Sequence, residues 1–518
     1  MVNCVSSVPP IASATIQIPF LRANYMDYLN PKKQLQHKII LYVGYVLIAF
    51  GIIIGTIILL YEAYGFGLGK NGTVIQNGLV FVSSQPNPAN IYLNGQLDKN
   101  ATTNTRLLLL AGIYNIELTR AGYYAWDRSV NVMGGAVMHF DYPLLIPKKL
   151  VTTKYASYPS QPGLVTQSPD RNWLLVQAPG SESQFDLYDL KNPQNKPTVL
   201  TIPSSILSKA TTSESWQLDQ WSDDNQHVIL EHVYDGKTEY IMLDRTDPSA
   251  SINLNNLLGT SPTDLTLNNL SYNQFYLYNA ATQEIDTASI SAPTSVPYIS
   301  HVLAYKSYGT NTMLYVTTDN APSGKVLVKL TEGNQTYIIH TFASGTNYLV
   351  DLTEYSGKLY VVAGASSENK VYIFKDPVGQ LSAQPNHAVA PIQVFHVDDP
   401  TYDSFSDNTQ FIMVEGGNEF GVYDLDNKVG YNYVTKQPID SPQVHATWMD
   451  GDRLTYVSNG KLIMFDYDDT NVRTLVSMNP AYLPIFNATY RVVYAVKDPD
   501  TTGQVEITQT SLLTPADQ

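Results

Sequence analysis

The sequence predicts a mainly β protein that a single apolar helix attaches to a membrane, and three observations support this prediction. Aromatic residues make up 11% of the 518 residues, including 37 Tyr, and aromatic and β-branched side chains suit the pleated, half-buried surfaces of sheets. One uncharged stretch near the N-terminus is long enough to cross a bilayer. Beyond it, short strand-like units separated by turn residues recur through most of the chain.

A chain of this length exceeds what one hydrophobic core supports, so we expect two or more domains. The composition changes along the chain predict six segments in a fixed order. They are a cytoplasmic tail (1–38), a transmembrane helix (39–61), a Gly-rich tether (62–77), a small β domain (78–147), a linker or first docking strand (148–162) and a β-propeller (163–518).

The charge is unevenly distributed. The first 61 residues contain four basic side chains and one acidic side chain, whereas the remainder contains 27 basic and 45 acidic residues, a net charge of −18. A domain of that sign repels phosphate backbones, so we expect no nucleic-acid partner. Cys4 is the only cysteine, which rules out an intrachain disulfide and a cysteine-ligated metal site.

The uncharged stretch runs from Ile39 to Tyr61, and a helix of that length spans roughly 34 Å, enough for a hydrocarbon core of about 30 Å. A cleaved signal peptide has a shorter apolar region, and a buried helix this long and uncharged is rare. Within the next 20 residues only Lys70 is basic, whereas four basic residues precede the stretch: Arg22, Lys32, Lys33 and Lys38. The positive-inside rule therefore keeps the N-terminus in the cytoplasm and places residues 62–518 outside.

Two segments flank this helix. The first 30 residues show no clear periodicity, and we expect them to form a loose tail. YGFGLGKNG, residues 64–72, is typical of a flexible Gly-rich tether.

Short strands and turns follow from Gly78. LVFVSS precedes the Pro-rich turn QPNPA and the segment IYLNGQ, in which Asn94-Gly95 indicates a hairpin because both residues tolerate positive φ. Further strands are predicted at 113–118 and 126–132. About seventy such residues predict a small β-sandwich-like unit.

These residues resemble the PEGA domain family, whose pattern combines S-x-P-x-G-A, a threonine-led turn, x-G-x-Y and G-Y. The name-giving tetrapeptide departs at its two middle positions, being Pro86-Asn87-Pro88-Ala89, and Asn104 replaces the proline expected after the threonine. The matching positions are Val82, Ser83, Pro86, Ala89, Ile91, Leu93, Gly95, Thr103, Leu107, Gly112, Tyr114, Ile116, Gly122, Tyr123 and Trp126.

The resemblance implies a prokaryotic surface or envelope protein, since PEGA domains occur in such proteins. It also implies binding to a protein partner or an envelope polymer, and it supplies no catalytic residues. Each matching residue has a structural reason as well, such as a turn for each glycine.

The remaining chain contains eight similar units over residues 155–513, about 45 residues each. The four clearest copies begin at Ser168, Trp221, Phe405 and Trp448, and each combines an Asp/Asn-rich turn with two strands and an acidic turn. Short strands repeating at this period predict a β-propeller, with eight blades favoured and seven as the alternative. The turns resemble those of WD40-like or TolB-type blades, with Arg171, Asn225 or Thr409 where S-P-D-G has glycine.

The propeller contains no recognisable catalytic motif, such as H-E-x-x-H, G-x-S-x-G or GxxxxGK[ST]. His227 and His232 are five apart on one strand, so their side chains face opposite sides and cannot chelate one ion. In residues 498–509, Asp498, Asp500 and Gly503 occupy three positions of a calcium loop. Thr502 and Gln509 depart from that loop, so a hairpin turn is the favoured interpretation.

Other polar and aromatic residues also have structural interpretations. The pairs Asp424/Asp426 and Asp466/Asp468 recur at strand ends, which indicates turn chemistry. Four tryptophans suggest either sugar stacking or, more simply, packing between blades: Trp173, Trp216, Trp221 and Trp448. N-x-[ST] sequons matter only if the host glycosylates secreted proteins, and the prokaryotic source that the PEGA resemblance implies favours chance occurrence. They are at Asn71, Asn100, Asn269, Asn334 and Asn487.

The sequence thus favours a single-pass membrane protein that displays both domains outside the cell and binds a protein partner or an envelope polysaccharide. We assign no catalytic, cofactor-binding or metal-binding residue and no cofactor. One alternative is a propeller hydrolase or lyase acting on envelope glycans, whose acids would be inward-facing Asp residues that the sequence does not identify. Another is a structural subunit of an envelope assembly.

Overall fold

The computed structural model describes residues 31–63, 65–68, 74–181, 183–385, 387–440 and 445–518. The predicted N-terminal tail lies outside the described residues up to position 30, as does most of YGFGLGKNG. All structural statements below concern the described residues.

The first element is helix α1, Pro31–Ala63, which contains the predicted span 39–61. It begins eight residues earlier than predicted because proline is well suited to the first helical position and the polar residues after it continue the helix. The three lysines assigned to the tail, Lys32, Lys33 and Lys38, therefore lie on α1. Among the described residues this is one helix long and apolar enough to cross a membrane, and its apolar part is not covered by the rest of the chain.

The chain divides into two compact units. The first comprises the described residues up to Val80 together with Arg106–Ile113 and Asn131–His139. The second comprises Phe81–Thr105, Tyr114–Val130 and Phe140–Gln518.

Eight strands follow α1 and form two four-stranded sheets. In the first sheet the order is β1-β2-β5, with β8 also paired to β2; in the second it is β4-β3-β6-β7. The strands are β1 (Phe66–Leu68), β2 (Val74–Val82), β3 (Asn90–Leu93), β4 (Gln96–Thr102), β5 (Thr105–Leu110), β6 (Gly112–Thr119), β7 (Trp126–Val132) and β8 (Val137–Phe140).

The predicted hairpin at Asn94-Gly95 is confirmed: it joins β3 to β4, and both residues have positive φ, 50° and 77°. The prediction of a tether over 62–77 is wrong in part, because β1 and the start of β2 lie inside it. Their antiparallel pairing, with Phe66 opposite Gln76, satisfies backbone groups that a flexible tether would leave to water.

The repeat region begins with β9 (Val151–Tyr158) and continues through four-stranded antiparallel sheets. We number these sheets 1 to 8 in chain order. Sheet 1 contains β10 (Val165–Gln167), β11 (Trp173–Gln177), β12 (Gln184–Asp189) and β13 (Thr198–Thr201), and sheet 2 contains β14 (Glu214–Trp221), β15 (His227–Tyr234), β16 (Lys237–Asp244) and β17 (Ile252–Asn253). Sheet 3 contains β18 (Asp264–Leu267), β19 (Gln274–Asn279), β20 (Glu284–Ser289) and β21 (Val296–Ile299). Sheet 4 contains β22 (Val302–Tyr308), β23 (Thr312–Thr317), β24 (Lys325–Glu332) and β25 (Gln335–Ala343).

Sheets 5 to 8 follow the same plan, and sheet 8 takes β9 as its fourth strand. Sheet 5 contains β26 (Tyr348–Tyr355), β27 (Lys358–Ala365), β28 (Lys370–Lys375) and β29 (Pro391–His396), and sheet 6 contains β30 (Tyr402–Phe405), β31 (Phe411–Gly416), β32 (Glu419–Asp424) and β33 (Val429–Val434). Sheet 7 contains β34 (Thr447–Trp448), β35 (Arg453–Ser458), β36 (Lys461–Asp466) and β37 (Arg473–Ser477). Sheet 8 contains β38 (Ile485–Phe486), β39 (Val492–Val496) and β40 (Val505–Ser511), with β9 as its fourth strand. Two short helices lie in connections: α2 (Leu254–Leu258) follows the last strand of sheet 2, and α3 (Pro377–Ala383) connects β28 to β29 of sheet 5.

The prediction of a linker over 148–162 is wrong where β9 occupies it, and the alternative of a first docking strand is correct. β9 pairs with β40 from Val151 opposite Ser511 to Tyr158 opposite Val505. The eighth sheet therefore contains both the beginning and the end of the repeat region, which closes the ring of sheets.

Hydrophobic clusters join each sheet to the next. Separate clusters connect sheets 1 and 2, 2 and 3, 3 and 4, 4 and 5, 5 and 6, and 6 and 7. The largest cluster combines residues from sheets 7, 8 and 1, such as Met464, Val493 and Leu174. The repeat region thus consists of successive four-stranded sheets that pack on one another, as the blades of a β-propeller do.

The first strands of the sheets lie innermost. First strands of neighbouring sheets contact each other, as β14 contacts β18 and β22 contacts β26. The fourth strands, by contrast, carry exposed apolar residues such as Val296, Ile338 and Val434. First strands of a propeller surround its central channel.

Within the second unit, the segment 120–128 is fixed to sheet 7 and to the C-terminal residues. Trp126 is buried and donates from Nε1 to Asp466 Oδ2 at 2.8 Å. Arg128 pairs with Asp468 at 3.1 Å, and Arg120 pairs with Asp517. These charge-assisted contacts are among the stronger hydrogen bonds in proteins.

The closure of the ring predicts a specific disulfide. Thr152 and Thr510 are partners in the β9–β40 ladder, with Oγ1 atoms 2.8 Å apart, and such partners lie within the roughly 4.4–6.8 Å Cα separation that disulfides need. We expect Thr152→Cys/Thr510→Cys, made with Cys4→Ser in the full chain, to oxidise and to change mobility on a non-reducing gel.

The matched control is Thr152→Cys/Thr508→Cys, since Thr508 is paired with Lys154 instead. Equal cross-linking of both pairs, or of neither, would contradict the register that closes the ring.

Candidate functional site

The innermost strands border a cavity of about 400 Å³. Leu218 and Leu483 contribute exposed apolar side chains to it, 38% and 50% exposed. Its lining comes from sheets 1, 2, 7 and 8: Gly163, Leu164, Val165, Thr166, Gln167, Leu218, Thr447, Trp448, Ala481, Tyr482, Leu483, Pro484 and Ile485. This part of the channel therefore offers an apolar surface that the chain itself leaves uncovered.

Asp219 follows Leu218 and occupies a β-bulge. The register between β14 and β15 shifts between Leu218 and Gln220, which leaves Asp219 without a ladder partner. Bulges re-aim side chains and occur frequently beside functional sites. The Oδ2 atom of Asp219 is shut off from solvent and has no hydrogen-bond partner among the described residues, an arrangement that is rare for a buried polar group.

The charged neighbours of Asp219 are also acids. Burial, followed by the carboxylates of Asp264 and Glu231, raises the pKa of Asp219 to about 8. Burial and then Asp264 raise the pKa of Glu231. Tyr305, on sheet 4, donates a hydrogen bond to Asp264 Oδ2 at 2.7 Å. Three carboxyl groups of sheets 2 and 3 are thus gathered without a compensating cation acting on Asp219 or Glu231.

A second charged group lies on sheets 4, 5 and 6. Lys306 Nζ is 3.4 Å from Asp351 Oδ1, and Asp403 Oδ2 is shut off from solvent without a hydrogen-bond partner among the described residues. Burial and then the Asp351 carboxylate raise the pKa of Asp403 to about 8, although Lys306 acts in the opposite direction. One lysine thus serves two carboxyl groups.

Asp219 and Asp403 occupy equivalent positions. Each lies three residues before a serine, Ser222 or Ser406, whose carbonyl accepts the backbone N–H three residues later and closes the turn. Sheets 2 and 6 are four steps apart in either direction around the ring of eight. The fold therefore places two similarly enclosed carboxyl groups on opposite inner strands.

A polar bridge crosses the face on which these turns lie. Arg171 of sheet 1 pairs with Asp407 of sheet 6 at 2.5 Å, and its guanidinium carbon is 4.9 Å from the centre of the Tyr490 ring of sheet 8. Tyr490 also donates to Asp407 at 3.2 Å. Because sheets 1 and 6 are not neighbours, the bridge is a chord across this face, and a cleft of about 600 Å³ lies beside it.

The bridge includes strained backbone. Arg171 and Tyr490 both have positive φ, 58° and 56°, which costs a residue with a side chain roughly 1–2 kcal/mol. Arg171 occupies the turn position at which S-P-D-G has glycine, so this turn carries a long cationic side chain that glycine would lack.

His227 and His232 are both held by carboxylates. His232 is fully buried, and its ring nitrogens lie 2.7 Å from both Glu239 and Glu214. His227 lies 2.6 Å from Asp224. Both are on β15, and each is held by its own carboxylate partners.

Asp424 and Asp500 have the turn role predicted for them. The other predicted pair does not use its side chains in this way, because Asp466 Oδ2 accepts from Trp126 and Asn471 and Asp468 pairs with Arg128. Asp424 Oδ1 accepts the backbone N–H groups of residues 426 and 427. Asp500 Oδ1 accepts those of Thr502 and Gln504 between β39 and β40, so residues 498–504 form a hairpin turn. In the described part of the chain, no group of three or more His, Cys, Asp or Glu side chains is arranged to hold a metal ion.

The tryptophans pack between sheets, as predicted. Trp221 Nε1 donates to Thr166 of sheet 1 at 3.1 Å, and Trp448 Nε1 donates to Ser404 of sheet 6 at 3.1 Å. Trp216 is buried in the cluster that joins sheets 1 and 2. Trp448 has a further position that the sequence did not predict, since it also lines the channel cavity.

Sequence reasoning missed the channel carboxyl groups, although one pattern contains two of them. Asp219-Gln-Trp-Ser-Asp and Asp403-Ser-Phe-Ser-Asp share D-x-aromatic-S-D. Alignment of the repeats on the turn serine finds this pair. The bulge that re-aims Asp219 and the approach of Asp264 depend on strand pairing and have no sequence pattern of their own.

The raised pKa values of Asp219 and Asp403 predict a pH dependence of stability. These groups keep their protons to about pH 8 in the folded chain, whereas an unfolded Asp loses its proton near 3.9. The folded state therefore binds more protons between these limits, and the free energy of unfolding falls as pH rises through this window. We expect Asp219→Asn/Asp403→Asn to weaken this fall in urea titrations at about pH 5 and about pH 8.5.

The control is Glu284→Gln, an exposed carboxyl of β20, which should leave the pH dependence of wild type. A double variant whose free energy of unfolding follows the wild-type pH dependence would show that neither carboxyl is held protonated.

Comparison with known proteins supports this division of the chain. The profile of the PEGA domain family matches residues 77–146, close to the predicted 78–147. That match covers a small part of the chain and concerns this domain alone. No curated protein matches the chain.

Solved structures with a similar fold are distant. Hsv2 of Kluyveromyces lactis is 12% identical, with 61% of this chain and 98% of that chain covered and a TM-score of 0.39. The Cps50 (Swd1) β-propeller domain of Myceliophteria thermophila is 12% identical, covering 69% and 99%, with a TM-score of 0.36. The oligogalacturonate lyase of Vibrio parahaemolyticus is 10% identical, covering 72% and 100%, with a TM-score of 0.37. These values carry no functional argument, and the propeller assignment rests on the closed order of sheets: residues 77–146 are a PEGA domain, and the repeat region is a β-propeller.

Proposed function

We propose that this chain is a single-pass membrane protein that holds its N-terminus in the cytoplasm and displays a PEGA domain and a β-propeller outside the cell. Its function is binding, with a protein partner or an envelope polysaccharide as the ligand. The observation that carries this proposal is the channel cavity, whose lining includes the exposed apolar side chains of Leu218 and Leu483 beside a few polar groups such as Gln167.

The uncovered apolar surface of α1 supports the anchor. A soluble helix buries at least one face, whereas the apolar window of α1 is not covered by the described chain. The basic residues at its N-terminal end, Lys32, Lys33 and Lys38, favour a cytoplasmic N-terminus. The net charge of −18 beyond Tyr61 suits a soluble domain displayed away from anionic lipid.

The channel supports binding because some of its apolar side chains are not covered by the rest of the chain. Exposed apolar groups such as Leu218 and Leu483 release free energy when a ligand covers them. A small number of polar groups on an apolar wall is typical of ligand sites.

A second candidate function is that of a hydrolase or lyase acting on envelope glycans, and one observation favours it. Asp219, whose pKa is raised, has the carboxyl group of Asp264 as a charged neighbour, and glycosidases use two carboxyl groups of which one is protonated. Activity on cell-envelope polysaccharide fractions, measured as new reducing ends or unsaturated products and lost in Asp264→Asn, would establish this alternative.

The membrane topology has a direct test. We expect protease added to intact cells to degrade the full-length protein beyond residue 61, since the propeller lies outside, while an epitope placed before Pro31 stays protected. The chain should remain in the membrane pellet at alkaline pH and dissolve only with detergent. A propeller protected in intact cells but cleaved in lysed cells would place it on the opposite side.

The binding function is tested by photo-crosslinking in intact cells. A photoreactive residue replacing Leu483, in the channel, should capture a partner or polymer of reproducible mass, and the same residue replacing Val296, on the outermost strand of sheet 3, serves as control. Identical products at both positions would indicate nonspecific capture and contradict a channel ligand.

A further inference from the structure

The first sheet of the PEGA domain has an apolar face that no described residue covers. Successive side chains of a strand point to opposite faces. In β5 the buried side chains are Leu107 and Leu109, so Leu108 points to the other face. Val137 of β8 lies three residues before buried Phe140 and is exposed on that other face as well.

The sequence of β5 departs from the usual pattern of such a sheet. A sheet with one face in water alternates apolar and polar residues, whereas a strand that is apolar on both faces belongs to a sheet covered on both sides. β5 reads TRLLLL, so its outward positions are Arg106, Leu108 and Leu110. Two outward positions at the end of this strand are therefore built to be covered.

The turns beside this face are apolar and exposed too. Ile113 follows the turn after β5, and Met133 follows β7. The exposed fractions of Leu108, Ile113, Met133 and Val137 are 64%, 73%, 64% and 57%. These values match those of the apolar residues of α1, such as Ile40 at 68%.

Backbone hydrogen bonds join one of these turns to the end of α1. The N–H of Asn77 on β2 donates to the carbonyl of Gly65 at 2.6 Å, two residues after the helix ends at Ala63. The carbonyl of Asn77 accepts the N–H of Gly135 at 2.9 Å. One residue of β2 thus connects the helix end with the turn that follows Met133.

Glycines keep this turn close to β2. A Cβ added at Gly134 would lie 2.8 Å from the Cβ of Gln76, and one added at Gly78 would collide with Val132. Only glycine allows two backbone segments to approach so closely. The turn that follows Met133 is therefore fixed beside the part of β2 that is nearest to α1.

β5 brings its outward leucines to the same end of the sheet. β5 pairs with β2, and the N–H of Asn104 donates to the carbonyl of Val82. Residues Arg106–Ile113 form one compact unit with α1 and β2 up to Val80, whereas Thr105 belongs to the other unit. β5 therefore runs back along β2 towards the helix.

The chemistry of this face fits a lipid surface. Apolar side chains that adjoin a membrane-spanning helix meet the boundary between headgroups and acyl chains. The Tyr61 and Phe66 rings lie 5.3 Å apart at the helix end, where interfacial aromatic residues occur. β5 and β8 contain no acidic residue, although the chain beyond Tyr61 has a net charge of −18, and exposed Arg106 suits phosphate headgroups.

We propose that this outward face of the first PEGA sheet lies on the surface of the bilayer that α1 crosses, with Leu108, Ile113, Met133 and Val137 in contact with lipid. This inference rests on the proposed membrane anchor and concerns a surface separate from the propeller channel. Covering these side chains releases free energy in proportion to their apolar area, so the sheet does not swing freely on its anchor.

The test uses the full chain with Cys4→Ser in phospholipid vesicles, labelled at one introduced cysteine with an environment-sensitive fluorophore. At Leu108→Cys or Met133→Cys we expect emission shifted to the blue and quenched by phospholipid that carries a nitroxide near its headgroup. Val296→Cys, a similarly exposed apolar position on β21, is the matched control and should show neither effect. A label at Ile53→Cys on α1 reports the anchor itself, through quenching by nitroxides deep in the acyl chains.

These labels separate the inference from the proposed function. Quenching at Ile53→Cys with none at Leu108→Cys or Met133→Cys would refute contact of the sheet with lipid and leave the anchor standing. Absence of quenching at Ile53→Cys would refute the anchor. Equal quenching at Val296→Cys would show that the fluorophore enters lipid by itself. Disulfide-linked dimers of Met133→Cys without quenching would identify a second copy of the chain as the occupant and overturn the proposal.

A second variant tests whether the apolar side chains hold the sheet on lipid. With the label at Val137→Cys, Leu108→Asn/Ile113→Asn should abolish the quenching, and the apolar control Leu108→Met/Ile113→Leu should retain it. Urea titration shows that both variants are folded. Undiminished quenching in the folded Asn variant would mean that these side chains do not bind lipid, and the proposal would be wrong.

Discussion

Pairing of β9 with β40 is the constraint on which the rest of the propeller depends. One blade-like sheet cannot cover both of its faces, and only neighbours arranged in a ring can do so. The eighth sheet takes its outer strand from the beginning of the region, and the cluster containing Leu174, Val493 and Met464 links sheets 7, 8 and 1. Without this closure, the first and eighth sheets would each expose an apolar face, and the first strands would not enclose a channel.

Closure also explains why the channel is electrostatically unusual. Inner strands brought together around a ring cannot separate their side chains as strands of an open sheet can. Asp219 and Asp264 of the inner strands therefore lie near Glu231 of β15, and burial raises the pKa of Asp219 and of Glu231. Burying these carboxyl groups lowers the free energy of unfolding, and the large apolar interfaces between sheets offset this loss.

The PEGA domain and the propeller are connected by more than the chain itself. In the second unit, Trp126 and Arg128 contact Asp466 and Asp468 of sheet 7, and Arg120 holds Asp517 near the C-terminus. These aspartates also belong to the repeated acidic turns. One copy of a repeated turn thus accepts contacts from the segment 120–128 within the second unit.

The sequence by itself determined the apolar helix, the PEGA domain, the Asn94-Gly95 hairpin and the repeat of about 45 residues, because each depends on local composition or on spacing along the chain. It also predicted the turn roles of Asp424 and Asp500, which arise from hydrogen bonds to nearby backbone. Tertiary structure decided that β9 completes the last sheet, that the tether contains strands, and that Asp219 approaches Asp264 while Asp403 approaches Asp351. Closure of the ring depends on pairing between residues up to 360 positions apart, Val151 and Ser511, and no local pattern encodes which distant strands become neighbours.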